Sequence, residues 1–273
     1  MAGLIPRHEL KEWLDEWALR YEQPDFISAD PISMPHRYAR REDIEAVGLM
    51  TALIAWGRRS SILQSADAMF ADLGDSPVAF LVDASEDDVQ GLTWAHRTFL
   101  PEDGWRFMQA LQSWYRTHST LETAFTHRPG EADLGPAIDR FRHSFAGDWI
   151  HTRSAKHLAS PAQGSAAKRL HLYLRWMVRP AARGVDFGLW TSLSPRLLSC
   201  PLDVHTGNVA RDLGLVQRKA NDRKTVEELD TALRAMDAED PVKYDFALFG
   251  LGESGWLQKS LGDGRQRPLP SDL

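Results

Sequence analysis

Lys168 and Asp203 have side chains suited to chemistry at an electrophilic carbon. An unprotonated lysine amine is a nucleophile, and a carboxylate stabilises positive charge that develops as a bond to that carbon breaks. They stand 35 positions apart. Lys168 belongs to a stretch between Asp148 and Asp186 that has no acidic residue and carries Arg153, Lys156, Lys168, Arg169, Arg175, Arg179 and Arg183. With a net charge of −6 for the chain, the remainder must carry −13. A basic stretch set in an acidic protein is a local footprint for a polyanion. Asp203 directly precedes a helical pattern, where it also serves as an N-cap accepting a backbone N–H from Thr206 or nearby. The capping and chemical roles do not exclude each other.

The elements that must position these residues are helical. Apolar residues recur at helical spacing wherever a pattern can be read, and no convincing alternation of apolar and polar residues occurs, so an all-α fold is expected. Ile44, Val47, Thr51 and Ile54, with Leu49, Met50 and Leu53 between them, predict a central helix buried nearly all round. Phe107, Leu111, Trp114 and Tyr115 share a face of a helix over 101–116. Val226, Leu229, Leu233 and Met236 form another stripe, which a capping box from Thr225 to Glu228 would open. Asp240-Pro241 has the form of an N-cap and first helical residue, leading a last helix through Phe246 and Phe249. Ser160-Pro161-Ala162-Gln163-Gly164 is a tight turn between two helical segments, the second carrying Leu170, Tyr173, Leu174 and Met177 on one face. Lys168 then sits at the start of that second helix.

This hairpin, followed by Asp203-Val204-His205-Thr206-Gly207-Asn208-Val209 and Leu213-Gly214-Leu215, resembles the helix-hairpin-helix DNA glycosylases, with the archaeal-type 8-oxoguanine branch nearest. The chain departs from that pattern where Ala166 replaces a second hairpin glycine and where Arg183 to Trp190 lengthens the segment between Lys168 and Asp203. The resemblance implies one two-lobed domain over 1–263, with the hairpin at about 150–180, the catalytic segment at 200–215, and a flexible tail over 264–273. It implies a DNA glycosylase with abasic-site lyase activity that removes an oxidised purine from double-stranded DNA in base excision repair. Lys168 is then the Schiff-base nucleophile, and Asp203 stabilises the sugar cation. Gly164, Lys156, Arg169, Arg175, Arg58, Arg59 and His205 are assigned to DNA, and Asp245, Phe246 and Trp56 to the pocket for the extruded base. The alternative is a non-catalytic DNA- or RNA-binding protein that keeps the hairpin without the chemistry. Nearly the whole chain is also similar to an uncharacterised bacterial family, marked by Asp30-Pro31-Ile32-Ser33-Met34-Pro35-His36-Arg37, Ala55-Trp56-Gly57, His96-Arg97-Thr98-Phe99 and Leu174-Arg175-Trp176-Met177-Val178-Arg179.

Composition narrows the setting. The 273 residues are 43% hydrophobic and 26% charged, which suits a folded globular protein with a sizeable core. One cysteine, Cys200, excludes an internal disulfide and a cysteine-ligated zinc or iron–sulfur cluster. No metal or other cofactor is expected, and His205 lacks a second ligand at helical spacing. The start of the chain lacks a signal-peptide core and no stretch is apolar for long enough to span a bilayer, so a soluble cytoplasmic protein is expected; the glycosylase resemblance implies a monomer at the nucleoid. Ten tryptophans supply core anchors or flat faces for a base.

Overall fold

The computed structural model describes residues 7–255. The tail expected over 264–273 lies outside them. The fold is all-α. In chain order the helices are α1 (Arg7–Tyr21), α2 (Arg41–Leu53), α3 (Arg59–Ala71), α4 (Pro77–Asp83), α5 (Glu86–Gln90), α6 (Pro101–Tyr115), α7 (Gly135–Ala146), α8 (Lys168–Val178), α9 (Val204–Asp212), α10 (Arg223–Met236) and α11 (Tyr244–Ser254), joined by short 3-10 turns. Among the described residues there are two isolated β-bridges and no strand. No helix among them is long and apolar enough to cross a membrane.

The buried side chains form two clusters. The larger gathers α2 to α8 and the segment through Trp190 and Leu198. The smaller joins α1, α9, α10 and most of α11 with Cys200, Leu202 and Val216. Helix α11 lies at the seam, because Phe246 packs into the larger cluster while Ala247, Leu248 and Leu251 pack into the smaller. Against α1 it comes very close: a Cβ on Gly250 would lie 2.4 Å from the Tyr21 ring, so only glycine allows this crossing.

The apolar-all-round pattern of α2 has the expected outcome, with every residue from Asp43 to Leu53 buried. A polar group in that helix is completely enclosed. Glu45 accepts from Arg41 Nε (2.9 Å), Thr120 Oγ1 (2.6 Å), Leu121 N (2.8 Å), Tyr115 OH (3.1 Å) and Trp190 Nε1 (2.8 Å). Five donors from four parts of the chain satisfy this carboxylate, which is what makes its burial tolerable.

Three local expectations need correction. The helix carrying Val226 begins earlier than Thr225: Asp222 is its cap, accepting from Thr225 N at 3.0 Å, and Glu228 instead accepts from Gln217 N at 2.8 Å. Asp240 makes no side-chain cap; its carboxylate takes the Arg179 guanidinium at 2.9 Å, and Pro241 opens a 3-10 turn before α11. The arm preceding the 160–164 turn is a 3-10 run, Arg153–His157, rather than an α-helix. Its cause is Asp103 in the first turn of α6. That carboxylate draws in Arg153 (2.8 Å), Ser154 Oγ (2.7 Å) and His157 Nε2 (3.2 Å) and tightens the segment around one acceptor.

Candidate active site

A cavity of about 630 Å³ opens at the seam between the two clusters. Five pieces of chain build its wall: the 3-10 turns around Asp30, the α2–α3 connection, the start of α8, the start of α9, and one face of α11. Lys168 and Asp203 both face it, with Lys168 Nζ 3.8 Å from Asp203 Oδ2. The 34 intervening residues do not hold them apart, because the insertion folds back on α8. Phe187 N donates to Trp176 O (2.8 Å), Trp190 N to Met177 O (2.9 Å), and Trp190 enters the core.

Asp203 fills both of its expected positions at once. Oδ1 accepts from Thr206 N at 2.9 Å and caps α9, while Oδ2 faces the amine. Lys168 is the first residue of α8, and its amine also lies 3.5 Å from Ala55 O. The preceding residue, Ala167, is buried and left-handed at φ 43°. A non-glycine residue pays roughly 1–2 kcal/mol for that conformation. Such strain persists where the surroundings over-determine it, and it gathers at functional sites.

Trp56 also lines the cavity. Its ring is stacked near His157 (centroids 5.9 Å apart), edge-on to His96 (5.0 Å), and covered by the Arg169 guanidinium at 4.8 Å. Arg169 also donates to Leu53 O, and its burial lowers its pKa to about 10, leaving it charged at neutral pH. His96 is buried and holds Trp56 O at 3.0 Å. Gly57, at φ 100°, makes the turn beneath Arg97, whose guanidinium a Cβ would strike at 2.4 Å. Arg59 reaches the wall, pairs with Glu253 at 2.7 Å and lies over the Phe249 ring at 4.8 Å. His205 lines the mouth and is exposed.

Several assigned residues are either already engaged or off the wall. Arg175 is not an open phosphate ligand. It is 3% exposed, bound to Asp245 and, at 3.3 Å, to Asp186, with its guanidinium 4.3 Å over Phe246. Asp245 reaches the cavity wall, but the same ion pair and the Cys200 thiol at 3.7 Å occupy its oxygens. Burial raises the Asp245 carboxyl above its usual range and pushes the thiol well up. Phe246 is a core residue off the cavity wall; the phenyl rings that line it are Phe26 and Phe249. Gly164 makes a left-handed turn at φ 85° whose carbonyl accepts from Arg223 N, and it does not reach the wall. Arg58 and Lys156 are exposed and also off the wall.

The basic stretch as a whole is largely neutralised from a distance. Arg153 pairs with Asp103, and Arg179 with Glu22 (2.7 Å), Asp186 (2.6 Å) and Asp240 (2.9 Å). Phe249 and Asp30 are among the wall residues that the sequence reading did not assign to the site. Phe249 carried a signal, since Asp245, Phe249 and Glu253 fall at i, i+4 and i+8 and so share one helical face, with Phe246 turned away. Asp30 carried one too, in the Asp30-Pro31 marker. All four marker segments of the bacterial resemblance reach or brace this cavity, through Asp30 and Pro31, Ala55 to Gly57, His96 and Arg97, and Arg175. Among the described residues, no group of three or more His, Cys, Asp or Glu side chains is placed to hold a metal ion.

The chain belongs to the DUF2400 family, described as a protein of unknown function, whose profile matches residues 30–254. No curated protein and no solved structure matches it.

Proposed function

We propose that this protein is a DNA glycosylase with abasic-site lyase activity, acting as a monomer on an oxidised purine in the DNA of the cytoplasm. The observation that carries the reading is the meeting of Lys168 and Asp203, 3.8 Å apart on the wall of a cavity large enough for an extruded base. In the reaction, Asp203 takes the ammonium proton and the amine of Lys168 attacks the sugar C1′. The C1′–N bond breaks, and the base leaves with the electron pair and takes up a proton. That proton comes from Asp203, which, ionised again, balances the positive charge on the sugar. Ring opening converts the adduct to an imine; loss of a C2′ proton then expels the 3′ phosphate, and water releases the lysine. Trp56 and Phe249 reach the wall with the Arg169 and Arg59 guanidiniums over their rings, and planar guanidiniums laid on aromatic rings are surfaces on which an unstacked base can stack.

Borohydride reduces such an imine to a stable secondary amine. Incubation with an 8-oxoguanine oligonucleotide and borohydride is therefore expected to give a covalent adduct, which Lys168→Gln abolishes, while Asp203→Asn retains DNA binding and loses base release. Absence of an adduct across a panel of base lesions would overturn the lyase assignment.

The pairing of Arg153, Arg175 and Arg179 with acids favours a second reading, an enzyme or binding protein for a small heterocycle. That reading predicts duplex binding that is weak and insensitive to salt, whereas phosphate contacts make affinity fall steeply as salt rises.

A further inference from the structure

The wall of the cavity is balanced in charge. Arg59, Lys168, Arg169 and Arg175 stand against Asp30, Asp203, Asp245 and Glu253, and each cation except Arg169 is paired with one of these acids or with Asp186. A site made for phosphate would leave cations in excess. Aromatic faces and a neutral sum suit an uncharged, flat, polar heterocycle.

Within that wall the carboxylates differ in what already occupies them. Asp245 is held by Arg175 and Cys200, Asp203 by the helix cap and Lys168, and Glu253 by Arg59. Asp30 has a backbone partner on one oxygen, Ile32 N at 3.0 Å on Oδ1, and among the described residues it makes no direct ion pair, although Arg175, Arg59 and Lys168 act on it from nearby. It is 7% exposed, and it lines the cavity. Its position is fixed, since the carboxylate caps the 3-10 turn Pro31–Ser33 and Pro31 holds the backbone behind it.

We propose that Asp30, rather than Asp245, is the residue that selects the ligand, by accepting hydrogen bonds from ring or exocyclic N–H groups on the edge of a heterocycle seated between Trp56 and Phe249. The assignment deepens the proposed function by naming the group that reads the base. A buried acceptor of this kind rejects a ligand that offers it only lone pairs or methyl groups, because the carboxyl would then be left unsatisfied. Burial holds the Asp30 carboxyl above its ordinary range, which fits a group that meets its ligand out of water.

Free bases test this apart from the lyase chemistry. Titrations of the full chain with guanine, 8-oxoguanine and caffeine, a purine whose ring nitrogens carry no hydrogen, are expected to show binding of the first two and at least tenfold weaker binding of caffeine. Asp30→Asn and Asp30→Ser both keep a capping oxygen, and each is expected to reduce that preference to less than threefold with unchanged circular dichroism. Equal affinity for caffeine, no binding of any of the three by the native chain, or a preference that survives both substitutions overturns the assignment. Borohydride trapping is read separately. Trapping by a chain that fails the base titrations sinks the role of Asp30 alone, and base binding without trapping sinks the lyase reading alone.

Discussion

Asp245 and Phe246 are neighbours in sequence whose side chains meet different surroundings. A helix turns by about 100° per residue, so Asp245, Phe249 and Glu253 look into the cavity while Phe246 packs beneath the Arg175 and Arg179 guanidiniums at 4.3 and 5.3 Å. Truncating each ring should separate the two roles. Phe246→Ala is expected to cost roughly 3–5 kcal/mol of stability, the usual loss for a fully buried phenyl ring. Phe249→Ala should cost less than about 1 kcal/mol at its half-buried position while weakening binding of a flat base. Urea midpoints and base titrations on both variants check this; equal stability losses would place Phe249 in the core and remove it from the site.

Among the elements, α8 carries the most chemistry. It starts at Lys168, buries Tyr173 and Trp176 in the larger cluster, and ends in the two arginines of the ion-pair network. It also encloses His171, whose ring nitrogens have no hydrogen-bond partner among the described residues. Burial lowers the His171 pKa from 6.5 to about 4. A folded-state value below the unfolded one means that stability is fully present above pH 6.5 and lost as the pH falls toward 4, by roughly 3 kcal/mol at full protonation. His157, also lowered to about 4, adds to this acid limb. Asp230 opposes it. Its pKa is raised to about 6 by burial, so its contribution is full below the unfolded carboxylate value and lost as the pH rises through 6. His171→Leu is accordingly expected to flatten the drop in urea midpoint between pH 7 and pH 5. A drop equal to that of the native chain would show that this histidine does not set the acid limb.

For the whole molecule, the question is where DNA would touch. A net charge of −6 leaves few places for a polyanion, and the paired arginines of the basic stretch reduce them further. Of the lysine and arginine residues assigned to DNA, Arg58 and Lys156 remain exposed. If they hold the backbone, Arg58→Ala and Lys156→Ala should each lower the slope of log affinity against log salt by about 0.9. Arg175→Leu should leave that slope alone and instead cost roughly 3–5 kcal/mol, because it strands Asp245 as a buried charge while Asp186 keeps Arg179. Fluorescence anisotropy with a duplex, from low to high salt, reads the slopes. Unchanged slopes in both alanine variants would move the DNA contact to another face.

The sequence by itself determined what is local. Helical periodicity located α2, α6 and α8, and the residue type and position of Asp203 marked a helix cap, because both depend on a few adjacent residues and on the fixed turn of a helix. Cap positions one turn off, as at Asp222, show how much side-chain competition alters even that. Only the tertiary structure decided which charges remained available. Apart from Asp186 at the edge of the stretch, the acids that neutralise Arg153, Arg175 and Arg179 are Glu22, Asp103, Asp240 and Asp245, all distant in the chain, and an acid-free stretch carries no trace of partners that fold onto it from elsewhere. The same holds for Asp30, whose place on the cavity wall depends on how two clusters close around a seam.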